Sequence, residues 1–222
     1  MKKNHPILEL ISEGEHQQLD FKFEISDSKK IARTLSAFAN TDGGTLLIGV
    51  KDNGNIAGIR SEEEYYMLEA ASEMYCQPKV SFTAKEWNMD GKIVLEVTIK
   101  ASREKLHKSP DKDNQYKPYI RIADENIVAP EVLEMAWKKI AALQGRHIKI
   151  TSPVKKLLNH LEINPYISLN QFRKIAKINY YTARNILSDL LAINAIGYLM
   201  IDKKIVYGIS EEKRELGTED EL

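Results

Sequence analysis

Residues 45–50, Thr45-Leu46-Leu47-Ile48-Gly49-Val50, form a nearly unbroken apolar run. A strand with one wet face alternates apolar and polar positions, whereas a run without alternation reads as a central strand covered on both faces. Upstream, Ile31, Ala32, Leu35, Ala37, Phe38 and Ala39 recur at helical spacing behind Ser28, a candidate N-cap. Asp42-Gly43-Gly44 stops that helix and turns the chain. Asp52-Asn53-Gly54-Asn55 then predicts a hairpin leading into Ile56-Ala57-Gly58-Ile59. A helix, a tight turn and a doubly covered strand in close succession require a mixed architecture with layers on both sides of a sheet.

The flanking segments agree with an α+β fold. Leu19 to Phe23 is a short alternating strand, and Ser61 to Tyr75 reads as a helix with three glutamates in its first turn. Val80 to Trp87 and Lys92 to Ile99 alternate around Asn88-Met89-Asp90-Gly91, a hairpin signal. Residues 101–116 are polar without a period and predict a loop. Lys117 to Ile122 is a further strand, with Pro118 favouring its edge or start. Pro130 is suited to open a helix running to about Leu143, and Gly145 breaks it.

Beyond Gly145 the pattern changes. Ser152, Ser168 and Asn179 or Tyr180 each start a short helix, and residues 197–209 read as strand, turn and strand. Three helices and a β-hairpin in some sixty residues match the winged helix-turn-helix layout. The expected organisation is therefore an N-terminal domain over 1–147, a small winged-helix domain over 148–210 and an acidic, disordered tail over 211–222.

The net charge is zero, but it is unevenly spread. Residues 151–210 carry 8 Lys+Arg against 3 Asp+Glu, and residues 211–222 carry 2 against 6. Local rather than total charge attracts a phosphate backbone. A single cysteine, Cys76, excludes an intrachain disulfide and any zinc site built on paired cysteines. With no signal-peptide core at the N-terminus and no apolar run long enough to span a membrane, the expected location is cytoplasmic, with no membrane partner. No G-x-x-x-x-G-K-[ST] occurs, so ATP is not an expected cofactor.

Three strings resemble one family. Glu15-His16-Gln17-Gln18-Leu19-Asp20-Phe21-Lys22 resembles its E-x-x-x-x-E-F-K opening. The sixteen residues from Ala37 through Asp52 resemble its AFANT-x-GG-x-LLIGV-x-D block, and Tyr119-Ile120-Arg121 its later Y-[IV]-R. This is the Schlafen-AlbA-type domain, also called a divergent AAA domain, and the resemblance covers roughly residues 7–140. It implies a nucleic-acid-associated mixed sheet with helices. In one branch of the family the fold cleaves RNA with three carboxylates. By motif these are Glu15, Asp20 and Asp52, which would hold Mg²⁺ or Mn²⁺ to neutralise phosphate charge. Asp20 stands where the family string has Glu, which retracts the carboxylate by one methylene.

Lys22, Lys29, Lys30 and Arg33 lie near the opening strand and helix, and Lys117 and Arg121 on a later strand. Together they are candidates to line a phosphate groove, with Tyr116 and Tyr119 available to stack on bases. A solvated helix face accounts for the same charges. In the C-terminal segment the third helix has an apolar stripe of Ala183, Ile186, Leu187, Leu190 and Leu191. That leaves Thr182, Arg184, Asn185 and Ser188 outward for phosphate and base-edge contacts, with Tyr180 and Tyr181 at the helix start. Arg173, Lys174 and Lys177 cluster around the second helix, and Lys203 and Lys204 occupy the expected wing tip. The leading reading is a non-enzymatic, homodimeric DNA-binding transcriptional regulator that prefers duplex DNA to RNA. A metal-dependent ribonuclease and a protein-interaction adaptor are the alternatives.

Overall fold

The computed structural model describes residues 5–102, 106–142 and 149–210. The chain divides into two compact units between Ala129 and Pro130. In the first, α1 (Pro6–Glu13), β1 (Leu19–Lys22), α2 (Ser28–Asn40), β2 (Gly44–Ile48) and α3 (Glu63–Tyr75) come before β3 (Phe82–Met89) and β4 (Lys92–Ile99). Then follow β5 (Lys108–Pro110), β6 (Tyr116–Ile122) and β7 (Glu125–Val128). The larger sheet has the order β1-β2-β4-β3, with β1 and β2 parallel and the other neighbours antiparallel.

The apolar run at 45–50 behaves as its pattern predicts, since β2 lies inside the sheet between β1 and β4. On one face Leu46 and Ile48 pack with Ile31, Leu35, Phe38 and Ala39 of α2 and Leu68 and Ala71 of α3. On the other, Leu47 and Val50 pack with Ile7 of α1, Leu19, Phe21 and Val94. Each of these large apolar side chains, buried from water, contributes about 1.5–3 kcal/mol.

The helix α2 is wrapped on nearly every side, with all residues from Thr34 to Asn40 buried. Its second flank meets the smaller sheet, ordered β5-β6-β7. Polar residues on that flank are bonded rather than solvated: Ser36 Oγ lies 2.8 Å from Ser109 Oγ, and Arg33 Nε donates to Pro110 O at 2.8 Å. Two glycines make the turn after α2 possible. A Cβ on Gly43 would sit 2.7 Å from Ile99 O, and one on Gly44 would strike the Phe38 ring at 2.4 Å.

Several local expectations are corrected. The α2 cap is Asp27, whose carboxylate accepts from Lys29 N at 2.8 Å; Ser28 is already helical. The turn at 51–55 forms, but the stretch 56–59 is not a regular strand: Ile56 bridges Val50, and Ile59 N donates to Ile93 O at 2.7 Å. Residues 101–116 contain a strand, β5, recruited by pairing with β6. Pro118 falls where the β5 pairing ends and the β7 pairing begins, so it removes little from either ladder. Helix α1 and strand β7 are additions to the expected elements. For α1 the signal is present in Pro6 at the first turn and in Ile7, Leu10 and Ile11 at helical spacing.

The second unit holds α4 (Glu131–Ala141), α5 (Ser152–Ile163), α6 (Leu169–Ala176), α7 (Tyr180–Ala192), β8 (Ile196–Ile201) and β9 (Lys204–Ile209). Its core gathers Val132 of α4, Leu157 and Leu161 of α5, Phe172 and Ala176 of α6, Ala183, Leu187 and Leu190 of α7, and Ile196 and Tyr207 of the hairpin. Helix α5 is preceded by Thr151 rather than capped by Ser152. Helix α6 has a reciprocal capping box between Ser168 and Gln171. It ends at Lys177, whose left-handed backbone returns its N–H to Arg173 O and Lys174 O. The chain reverses at once into α7, capped by Asn179 on Thr182 N at 2.8 Å. The units divide upstream of the expected 147/148 boundary because α4 packs along α7. Gly145 and the acidic tail over 211–222 lie outside the described residues.

Candidate nucleic-acid interface

The carboxylates that the resemblance singles out do not share one environment. Asp20, on β1, is 4% exposed, with Oδ1 3.2 Å from Arg121 Nη2 and Oδ2 2.8 Å from Lys22 Nζ. The lysine contact is an ion pair without hydrogen-bond geometry. Glu15 Oε1 accepts from Phe21 N at 2.9 Å. Burial raises the Glu15 carboxyl above its usual range, partly offset by the Phe21 N–H, and the adjoining Asp20 carboxylate raises it further. Asp52 is exposed in the Lys51–Asn55 turn. Among the described residues no three His, Cys, Asp or Glu side chains are placed to hold a metal ion. The structure thus brings Glu15 and Asp20 together and leaves Asp52 out. Lys22 and Arg121 already compensate the negative charge that would attract a cation.

The basic residues of the first unit separate into two groups. Arg121 is fully buried, which corrects its expected place in a groove. Its guanidinium donates to His16 O, Leu19 O, Asn126 Oδ1 and Asp20 Oδ1, and lies 4.8 Å from the Phe38 ring centroid. Lys22 stays with it on Asp20. Lys29, Arg33 and Lys117 gather elsewhere, around the turn joining β5 and β6. Lys29 Nζ donates to Asn114 Oδ1 at 2.7 Å, Arg33 lies 6.0 Å from the Tyr119 ring, and Lys117 pairs with Asp111 at 2.6 Å. Lys30 is exposed on α2. Tyr119 is 6% exposed and cannot present its ring face to a base, whereas Tyr116 is half-buried and donates to Met74 O.

Asp111 organises that turn and is the most strongly shifted carboxyl of the group. Lys117 first, then the N–H groups of Gln115 and Asp113, hold it down at about 2 against an ordinary 3.8. A carboxyl depressed by folding contributes stability that is present above its unfolded pKa and lost as pH falls through its folded one. The window is therefore from about pH 4 down to about pH 2. Asp111→Asn should lower the urea midpoint of unfolding near neutral pH, and the gap to wild type should close across that window. A gap constant with pH would show that the carboxylate charge plays no part.

In the second unit the outward face expected of α7 is partly covered. Helix α4 runs along it. Arg184, with only 16% of its side chain exposed, contacts the Glu131 carboxylate through Nη1. Ser188 is fully buried and accepts from Lys139 Nζ at 2.6 Å, while Lys139 also pairs with Asp189 at 2.7 Å. Arg184 and Ser188 are thus corrected from solvent-facing to α4-facing. The period of α7 shows one apolar stripe, but a second helix flanks that stripe. Tyr181 is 66% exposed, Asn185 is exposed and Thr182 half-buried. Lys174 and Lys177 are exposed around α6, and Arg173 is half-buried, 5.8 Å from the Tyr180 ring. Asp202 and Lys203 form a two-residue turn with positive φ at both positions, and Lys204 opens β9; all three are exposed. Sequence reasoning missed Glu131 and Lys139, the α4 residues that reach this face.

Among the described residues no helix is long and apolar enough to cross a membrane. Comparison with curated proteins finds no match. Two solved structures are similar at low identity. One is the DIP2311 protein from Corynebacterium diphtheriae, 21% identical with a TM-score of 0.41, covering 58% of this chain and 28% of that one. The other is the N-terminal domain of a RecG-related protein from Nitrosomonas europaea, 20% identical with a TM-score of 0.35, covering 64% of this chain and 99% of that domain. The chain thus spans little more than a quarter of the first of these. Residues 15–130, just over half of the chain, match the Schlafen, AlbA_2 family. That span holds the Glu15–Asp20 pair, the wrapped α2, the central β2 and Arg121, and on it the chain belongs to the Schlafen, AlbA_2 family.

Proposed function

We propose that the chain is a nucleic-acid-binding protein acting as a DNA-binding transcriptional regulator, with the second unit as a winged helix-turn-helix that engages duplex DNA. The observation that carries this reading is the α6–turn–α7 pair followed by the β8–β9 hairpin, with exposed cations at both ends of the motif. A helix pair joined by a short turn is the usual means of presenting a helix to the major groove. Tyr181 and Asn185, one turn apart on α7, are the exposed residues suited to base edges. Lys174, Lys177, Lys203 and Lys204 are suited to phosphates. Membership of the Schlafen, AlbA_2 family supports an association with nucleic acid in the first unit. The binding reading is preferred to metal-dependent RNA cleavage because Glu15 and Asp20 are neutralised from within and Asp52 does not join them.

The test is a fluorescence titration of a labelled duplex with the wild-type chain and with the double variant Lys203→Ala/Lys204→Ala. The variant should bind more weakly on every sequence alike. Its salt dependence should flatten by roughly 0.9 log unit for each phosphate it no longer neutralises. Equal affinity and equal slope for the two proteins would remove the hairpin from the interface.

A further inference from the structure

We infer that Arg184, with Tyr180, Tyr181 and Arg173 around it, forms a binding site for a nucleic-acid phosphate, and that the Glu131 carboxylate occupies this site within the chain. The inference rests on the reading of the second unit as a nucleic-acid binder. The guanidinium of Arg184 lies 5.7 Å from the Tyr180 ring and 5.3 Å from the Tyr181 ring, and Arg173 lies on Tyr180 as well. Two arginines against adjoining aromatic rings are held in place more firmly than solvated chains, so less freedom is lost when they meet an anion. Neither is saturated. The Nε atoms of Arg173 and Arg184 are both buried and without an acceptor. Buried guanidinium donors left unmatched are uncommon, because each has lost its water without gaining a partner.

What Glu131 offers there is the chemistry of a phosphodiester: one negative charge shared by acceptor oxygens. Oε1 takes Arg184 Nη1, and Oε2 takes the Tyr180 hydroxyl at 3.4 Å. The two partners differ in their setting. The Glu131 side chain is 53% exposed on the first turn of α4, whereas Arg184 is 16% exposed. Rotation of the glutamate into water therefore vacates the site while α4 keeps its packing through Val132 and its Lys139 bonds to Ser188 and Asp189. Exposed Lys174 and Lys177 lie on the adjoining α6 end, and Tyr181 presents most of its ring beside the arginine, so an entering backbone meets positive charge and an aromatic face together. Binding then requires that the phosphate displace an intrachain anion, which sets a threshold against weakly held nucleic acid.

The test uses the full chain and Glu131→Gln, which keeps the side-chain shape and removes the charge. A labelled DNA duplex is titrated at several salt concentrations from about 50 mM upward. Glu131→Gln should bind about fivefold to tenfold more tightly at the lowest salt. Its plot of log affinity against log salt should be steeper by up to about 0.9, because in the wild type the displaced Glu131 carboxylate takes up a cation as the phosphate releases one. Adding Arg184→Ala to that variant should remove both gains. Inorganic phosphate at matched ionic strength should not displace the duplex; displacement would make this a site for free phosphate and overturn the backbone assignment. If wild type and Glu131→Gln bind equally with equal slopes, the occupied site is wrong and the nucleic-acid reading stands. If neither binds duplex at the lowest salt, that reading falls as well.

Discussion

Arg121→Ala is expected to cost the first unit about 3–5 kcal/mol, enough to leave much of it unfolded. Three losses add together. Asp20, 4% exposed, loses the guanidinium that faces it. The carbonyls of His16 and Leu19 each lose one of two donors and keep only the backbone N–H of the other residue. The space beside Phe38 empties. Arg121→Lys should recover little, because one ammonium cannot span acceptors on β1, on the turn before it and on Asn126. Thermal and urea unfolding followed by circular dichroism measure the effect. A variant with wild-type stability and weakened nucleic-acid binding would return Arg121 to the phosphate groove first expected of it.

The second large effect is expected at Asn40, buried at the end of α2. Its Nδ2 donates to His107 O at 2.7 Å and to Tyr119 O at 2.8 Å, while Oδ1 accepts from His107 N at 2.8 Å. One side chain thereby satisfies three backbone groups on the strand edge and loop that cover the helix. Asn40→Ala removes all three bonds and should cost about 2–4 kcal/mol. Asn40→Asp should be worse than Ala at neutral pH, since it points a carboxylate at two carbonyl oxygens. The order wild type, Ala, Asp in urea midpoint is the expected result. Asp better than Ala would mean that the two carbonyls find other donors.

These two residues show why the family strings are easy to see and hard to interpret. The block from Ala37 through Asp52 is specific because α2 is surrounded and its turn is tight, so Phe38, Asn40, Gly43 and Gly44 each answer a packing or bonding demand. Periodicity exposes the helix and the central strand, but it does not say that a polar residue is paired inside. Arg121 on a strand looks the same whether it faces water or Asp20. The same limit acts in the second unit. The α7 stripe is legible, yet the coverage of Arg184 and Ser188 depends on α4, a helix that the sequence pattern assigns to the other side of the boundary. The gathering of Lys29, Arg33 and Lys117 is legible from helix spacing and strand order. Their engagement by Asn114, Pro110 and Asp111 is not, because the β5 strand that brings that turn into place is only three residues long.

The measurement that bears most directly on the proposed function is the salt dependence of duplex binding by the unmodified chain. A labelled DNA duplex and a single-stranded oligonucleotide of the same length are titrated from about 50 to 200 mM salt. Lys174, Lys177, Lys203 and Lys204 supply a small phosphate footprint, so log affinity for the duplex should fall linearly with log salt at a slope of about −2 to −4. The duplex should bind more tightly than the single strand throughout. Absence of duplex binding at the lowest salt, or binding that does not change with salt, would contradict the account.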